Sequence, residues 1–465
     1  MITNSQEMAA IRKNSWAWLL RKIILPAGDI AFGQKMMRRL SFLEEAQWWP
    51  TEKLHSFRDS SLRDLIRVVY DEVPFYREIM EKASIRSSDI QVATDLRKFP
   101  IVTKEMLRRA YPDRVSRNTG KKVYESRTSG STGANFSVLL DRETTGCYQA
   151  SFLLVLEWAG WKIGESHLQT GMTLNRDFAK RMKDSLLNCY YVSAYDLTDS
   201  HLDLCLQMLE QYSIQHLWGY PGSLYYLARR AVERGWNQPL QSIVTWGDNL
   251  YEHYRKTIEE AFKARVTDTY GCSEGMNISA QCGVGSGYHV HTLDVIVEYL
   301  DDYGEPVSPS QAGNLIVTRL HPGPMPLIRY KVGDVGIAGE TGMCACGRGY
   351  DVMQSIQGRD TDIVHTQSGN RLIVHFFTGI LEHFKEIESF QVIQENLDSI
   401  ILRVIPAGEF SAETGQRVVA ALREKGADLN VEIEIVKEIP LPPSGKRRFV
   451  VSMIGKPSLI SLPPS

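Results

Sequence analysis

The chain has 465 residues, 43% hydrophobic and 23% charged, with a formal net charge of −2. This is the balance of an ordinary globular protein with a sizeable core, and it lacks the basic surplus that nucleic-acid binders carry. Seven cysteines are an odd number without an even framework, so a reduced, cytoplasmic compartment and a small-molecule or protein partner are expected, with no nucleic acid.

The first apolar run, "SWAWLLRKIILPAGDIAFG" (15–33), contains Arg21 and Lys22, and Pro26 and Gly28 as breakers. It is too interrupted to span a membrane and reads as an amphipathic helix folded onto its own protein. Docking on a membrane surface through Trp16, Trp18 and the two basic residues is the alternative. "SSLRDLIRVVYDEVPFYREIMEKA" then places Leu62, Leu65, Ile66, Val69 and Tyr70 at helical spacing. Residues 1–115 are therefore a helical entry region. Helical and strand-like runs alternate from 120 to 300, which argues for α/β layers, and 289–350 is mostly strand. The turn-rich stretch "GRDTDIVHTQSGN" (358–370) reads as a linker. Beyond it a strand pair, a helix after Ser411 and "LNVEIEIVKEIP" form a compact α+β unit. The expected class is α/β: a large multi-layer N-terminal domain (1–358) with a β-rich part, a hinge (359–370), and a small C-terminal α+β domain (371–465).

"RTSGSTGANF" (127–136) suits either a hairpin turn or a cradle for phosphate oxygens. It lacks the Gly-Lys-Ser/Thr ending of the usual phosphate loop. Cys282, His289, Cys344 and Cys346 supply three thiols and an imidazole, the donor set of a tetrahedral Zn²⁺ site. The alternative is reduced, unligated thiols on a glycine-rich loop, and His291 is the alternative fourth ligand. Cys147, Cys189 and Cys205 read as small buried hydrophobes.

"TSGSTG" (128–133), "YGCSEG" (270–275), "YKVGD" (330–334), "GRDTD" (358–362) and "LPPSGKRR" (441–448) resemble, in order, the core motifs of the adenylate-forming superfamily. "VPFYREIMEKA", "DLRKFPIVTKEMLRR", "GYPGSLYYLA" and "CACGR" are similar to its phenylacetate–CoA ligase and capsular-polysaccharide-biosynthesis branch. The resemblance runs from about residue 60 to 450. It implies an enzyme that activates a carboxylic acid with ATP and Mg²⁺ as an acyl-adenylate, and a C-terminal domain that is mobile.

In that reading Thr128, Ser129, Gly130, Ser131, Thr132 and Gly133 hold the β- and γ-phosphates, and Glu274 holds Mg²⁺. Tyr270 of the Tyr270-Gly271-Cys272-Ser273 run lies against adenine, with Gly247 and Asp248 along its edge. Asp334 and Arg359 reach the ribose, Asp334 accepting hydrogen bonds from both hydroxyls. Lys446 contacts the carboxylate and α-phosphate, supplying charge that the loop lacks. Relatives usually have Asp where this chain has Thr361, which leaves the hinge residue open. Trp218, Tyr220 and Trp246 are expected to wall the acid pocket, although aromatic side chains there also suit a core. The acceptor is coenzyme A or an amine, giving a thioester or an amide. Nucleotidyl transfer without a carboxylate and a non-catalytic nucleotide-binding relative are the other readings. A homodimer is the default oligomer.

Overall fold

The helical spacing of the first hundred residues is realised in a computed structural model. It describes residues 15–128, 136–171, 176–194, 196–285, 287–340, 344–359, 363–367, 371–372, 374–381, 383–425, 427–440 and 448–454. The 15–33 run stays helical where breaks at Pro26 and Gly28 were expected. A π-helical turn at Leu20–Ile24 leads without a break into α1 (Leu25–Phe32), and the Leu25 N–H bonds to the Leu20 carbonyl five residues back, so a widened turn stands just before Pro26, which has no N–H to donate. Gly33, at φ +66, ends α1. Among the described residues no helix is long and apolar enough to cross a membrane.

α2 (Met36–Ala46) and α3 (Thr51–Glu72) follow. Leu54, Leu62, Leu65, Ile66 and Val69 of α3 are buried, as one helix face requires, and Tyr70 is half-buried. Pro74 opens α4 (Pro74–Lys82). The Thr103 hydroxyl caps α5 (Lys104–Ala110) by accepting the Met106 N–H at 3.3 Å.

Strands β1 (Val123–Thr128) and β2 (Phe136–Asp141) form an antiparallel pair in which Thr128 faces Phe136. Asp141 caps α6 (Arg142–Trp158). Alternation then continues as expected through β3 (His167–Gly171), α7 (Phe178–Leu186), β4 (Cys189–Ser193), α8 (Asp199–Gln211), β5 (His216–Gly219), α9 (Pro221–Glu233), β6 (Ser242–Thr245), α10 (Glu252–Phe262), β7 (Val266–Cys272), β8 (Met276–Gln281) and β9 (Tyr288–Val290). These strands lie in the order β9-β8-β7-β6-β5-β3-β4. The run from β7 to β4 is parallel, and β8 and β9 are antiparallel. β5 and β6 are buried along their whole length, as strands covered on both faces must be.

β10 (Val295–Leu300), β11 (Ala312–Arg319), β12 (Tyr330–Ala338) and β13 (Val352–Arg359) make up the expected strand-rich stretch. The chain divides into two compact units. The first holds residues 1–297, 317–330 and 339–353, and the second holds 298–316, 331–338 and 354–465. A core of Leu20, Leu40, Leu54, Leu154, Trp161, Trp218 and Tyr350 serves the first unit. In the second, β14 (Val364–His365) pairs with β15 (Arg371–Leu372). After α11 (Val374–Leu381) come β16 (Ile387–Gln394), β17 (Ser399–Pro406), α12 (Ala412–Glu424), β18 (Asn430–Ile435) and β19 (Val450–Ser452). Their sheet runs β18-β17-β16-β19, with the central pair antiparallel and both outer pairs parallel.

The Arg21 guanidinium joins the first helix to α2 and α6, donating to Glu157 at 2.9 Å and pairing with Glu44. Burial, then the neighbouring charge of Glu44, pushes the Glu157 carboxyl up from 4.5 to about 7. A carboxyl raised by folding contributes stability that is present below its unfolded value and is lost as pH rises through its folded value. The melting temperature of Glu157→Gln is therefore expected to fall less than that of the parent between about pH 5 and pH 8. Identical slopes in thermal melts would assign that loss to another group.

Candidate active site

The parallel strands β3, β5, β6 and β7 end at one edge of the sheet, and the residues singled out from sequence follow those ends. Ligands of open α/β sheets bind outside the carboxyl ends of strands. Gly219 closes β5 and Tyr220 follows it, Trp246-Gly247-Asp248 follows β6, and Tyr270-Gly271-Cys272 closes β7. The backbones there are crowded. A Cβ on Gly219 would fall 1.9 Å from Thr170 Oγ1, and one on Gly247 (φ +78) would fall 2.8 Å from Tyr220 Cε1. The Tyr220 N–H donates to the Thr170 hydroxyl at 3.3 Å. Tyr220 lies 6.5 Å from Trp246, which meets Phe152 edge-on at 5.5 Å. Trp218 is placed differently: it is 4% exposed and its ring stacks on His167 at 3.7 Å and meets Trp161 at 5.0 Å. Trp218 belongs to the core cluster of the first unit.

Between β7 and β8 the chain turns through Ser273, Glu274 and Gly275 (φ +82). Gly275 admits the turn, since a Cβ there would also meet Leu140 at 3.0 Å. Glu274 is only 3% exposed. Its Oε1 accepts from the Tyr330 hydroxyl at 2.7 Å, and Lys104 Nζ stands 3.6 Å from the same oxygen. Arg319 donates to the Glu274 carbonyl at 2.9 Å. The β1–β2 pair reaches this corner at both strands: Ser126 Oγ donates to the Ser273 carbonyl at 3.3 Å, and the Phe136 ring stacks on Tyr330 at 6.2 Å. The strands flanking residues 129–135 are thus fastened beside Glu274.

Lys104 was missed from sequence. It is the first residue of α5, where a cation opposes the positive end of the helix dipole. That misfit was the available signal, and the carboxylate at 3.6 Å is its structural counterpart.

A second cluster joins the end of β8 to the 344–346 segment. One ligand atom from each of Cys282, His289, Cys344 and Cys346 lies within 4.8 Å of all the others, and the group excludes His291. Cys282 Sγ is 3.8 Å from Cys344 Sγ, and Cys346 Sγ is 3.2 Å from His289 Nε2. Burial opposes a thiolate at Cys282, but a hydrogen bond with His289 and the N–H groups of Gly285 and Val284 together bring it down to about 7. Gly285 cannot carry a side chain without crowding Cys344 Sγ at 3.0 Å. His291 is fully buried and stacked on Trp158 at 5.8 Å, and burial pushes it down to about 4. Of the three thiols expected to be buried, Cys205 is, and Cys147 and Cys189 are half-buried. Burial raises Cys147 to about 11, and Cys189 and Cys205 to about 12.

Residues 364–453 match the family described as the CapK C-terminal domain. The chain is 24% identical to a phenylacetate-coenzyme A ligase of Thermus thermophilus, over 89% of this chain and 100% of the relative. It is 22% identical to protein CapK of Staphylococcus aureus, over 86% of this chain and 90% of that protein. A solved 2-hydroxyisobutyryl-CoA ligase in complex with 2-HIB-AMP matches with a TM-score of 0.72 and 19% identity, covering 88% of this chain and 91% of that chain. Residues 364–453 thus resemble the CapK C-terminal domain, and the chain has the fold of a solved CoA ligase.

The other residues singled out from sequence fall in several places. Ser129, Gly130, Ser131, Thr132, Gly133, Thr361 and Lys446 lie outside the described residues. Thr128 ends β1 and Arg359 ends β13, with their side chains outside that set. Asp334 is half-buried on β12, after Gly333 (φ +96), in the second unit. The structure brings Glu274 together with the flanks of the 129–135 segment, and it gathers the strand-end residues along one edge.

Proposed function

We propose that the protein joins a carboxylic acid to AMP and then passes the acyl group to coenzyme A. The observation that carries this reading is the buried Glu274, oriented by Tyr330 and neighboured by Lys104, at the corner where both flanks of the hydroxyl-rich segment are fastened. In the first step a carboxylate oxygen attacks the α-phosphorus of ATP, and the bond to pyrophosphate breaks. In the second a thiolate attacks the acyl carbon and AMP leaves. Both reactants of the first step are anions, so the site must supply positive charge and fixed geometry.

Glu274 is the hard oxygen donor that would hold Mg²⁺, and Tyr330 keeps its carboxylate in one orientation. The metal would screen the triphosphate when bound. Residues 128–133 would wrap the β- and γ-phosphates with N–H and hydroxyl groups, and Lys104 would add an ammonium that the segment itself lacks. Tyr270 would lie against adenine, with Gly247 and Asp248 at its edge. Asp334 and Arg359 would hold the ribose, and Tyr220 and Trp246 would face the acid. The 371–465 domain would turn about 359–370 and carry Lys446 to the carboxylate and α-phosphate.

An ammonium contacting phosphate contributes about 1.5–3 kcal/mol, or roughly 10–100-fold. Lys104→Ala is expected to lower kcat/KM for ATP by about that factor, with partial recovery in Lys104→Arg. An unchanged value in steady-state kinetics would leave Lys104 as a partner of Glu274 alone.

The cysteine cluster would hold a structural zinc. Tetrahedral bonds of about 2.3 Å place two sulfurs about 3.8 Å apart, which agrees with the 3.8 Å between Cys282 and Cys344. Metal analysis of the purified protein is expected to find about one zinc per chain, and the Cys344→Ser/Cys346→Ser variant to lose it and melt at lower temperature. Metal-free protein with the parent's melting temperature would make the cluster a set of plain thiols.

The proposal as a whole is tested by incubating the protein with ATP, Mg²⁺, coenzyme A and a mixture of small acids and amines, with mass detection of products. An acyl-AMP that converts to an acyl thioester is expected. An amide would move the acceptor to an amine, and AMP attached to a group other than a carboxylate would overturn acid activation.

A further inference from the structure

The first helix has an outer side that the ligase reading does not use. Its inner side is fixed to the body: Leu20 is fully buried, Asp29 accepts the Met37 N–H at 2.5 Å, and Arg21 is held by Glu44 and Glu157. On the outer side Trp18 is 59% exposed, Ile23 49% and Ile30 85%, with Lys22, Ala27 and Ala31 also exposed; Phe32, 56% exposed, ends the helix on the side of Asp29. The π-helical turn at Leu20–Ile24 gives these residues their register. Such a turn brings residues five apart into line, so Trp18 stands over Ile23. Ordinary α-helical spacing then continues the line through Ala27 to Ile30 and Ala31. An unbroken apolar stripe results, with Lys22 at its margin.

Cations stand at the margin of the stripe and at the end of the helix, in a chain whose net charge is −2. Lys22 has no ion-pair partner among the described residues. The Arg142 guanidinium lies 4.9 Å above the Phe32 ring and donates to the Phe32 carbonyl at 3.2 Å. Lys35 and Lys121 share the single carboxylate of Glu143. Near the start of the helix, Gly164 packs against Ala17 and Leu20, and its carbonyl accepts from Asn188 at 2.7 Å, just beyond α7. α7 itself exposes Phe178 (78%) and Met182 (55%) four residues apart, next to an exposed Arg181.

We propose that the outer side of the 15–33 helix docks on an anionic lipid surface. Interfacial helices seat Trp and aliphatic side chains at the headgroup boundary and draw cations to anionic lipid. Charge complementarity selects lipid over a second copy of this chain, because an antiparallel pair of these helices would bring the Lys22 end of one toward the Arg142 end of the other, cation against cation. The inference is independent of the ligase chemistry.

The test is co-sedimentation of the full-length protein with vesicles of equal parts phosphatidylglycerol and phosphatidylcholine, and with phosphatidylcholine alone, at low salt. Binding to the mixed vesicles is expected to be at least about tenfold stronger than to phosphatidylcholine. It is expected to fall by at least about tenfold in Trp18→Ser/Ile23→Ser/Ile30→Ser, whose exposed positions leave the melting temperature unchanged. Lys22→Glu is expected to weaken it less. Failure to bind the mixed vesicles, or equal binding by the triple variant, would overturn the proposal. So would a concentration-dependent dimer, seen by sedimentation velocity, that the triple variant abolishes.

Discussion

Replacing Glu274 with glutamine is expected to slow acyl-adenylate formation by about 10²–10³-fold, or about 3–4 kcal/mol. The substitution keeps the shape of the side chain and leaves a carbonyl oxygen to accept the Tyr330 hydroxyl, now at 2.7 Å. What it removes is the negative charge, and with it the donor for a hard divalent cation. The charge carries no large stability debt, since Lys104 is 37% exposed and its 3.6 Å contact is partly solvated. The melting temperature should therefore change little while the single-turnover rate falls. A variant that unfolds would be replaced by Glu274→Asp, which keeps the charge, shortens the reach and is expected to retain intermediate activity. Full activity in Glu274→Gln would remove Glu274 from the chemistry.

The second large effect is expected at Lys446, in "LPPSGKRR". If this ammonium meets the carboxylate and α-phosphate only in the transition state, Lys446→Ala loses about 10²–10³ in the adenylation rate with little change in ATP affinity. The second half-reaction, started from preformed acyl-AMP and coenzyme A, should proceed within a few-fold of the parent rate, because the meeting of carboxylate and triphosphate that Lys446 would neutralise is already past. Equal losses in both half-reactions would make Lys446 a folding or docking residue of the small domain. Neighbouring Arg447 and Arg448 provide a control: substituting either should leave the first step nearly intact.

Much of the fold was legible because it rests on local chemistry. The Leu62–Val69 spacing marks a helix directly, and alternating strand and helix from 120 to 300 implies α/β layers. The edge that carries Gly219, Gly247 and Tyr270 follows from the same pattern, since each residue sits just past or at a strand end. Trp218 could not be assigned this way. A four-residue strand buried on both sides has no polar alternation to show which face meets a ligand. Lys104 was hidden for another reason: its partner is 170 residues away in sequence, and only tertiary structure brings it to Glu274. The π-helical turn that carries the chain past Pro26 was equally invisible, because propensity alone treats a proline as a stop. The zinc reading required only donor types and spacing, and the geometry added the choice of His289 over His291.

The measurement that bears most directly on acid activation is isotope exchange between pyrophosphate and ATP across a panel of carboxylic acids. Exchange that depends on one class of acid, needs a divalent cation, and drops by about 10²-fold or more in both Glu274→Gln and Lys446→Ala is the predicted result. Tight ATP binding with no acid-dependent exchange for any member of the panel would contradict it, and would leave a nucleotide-binding relative that does not form adenylates.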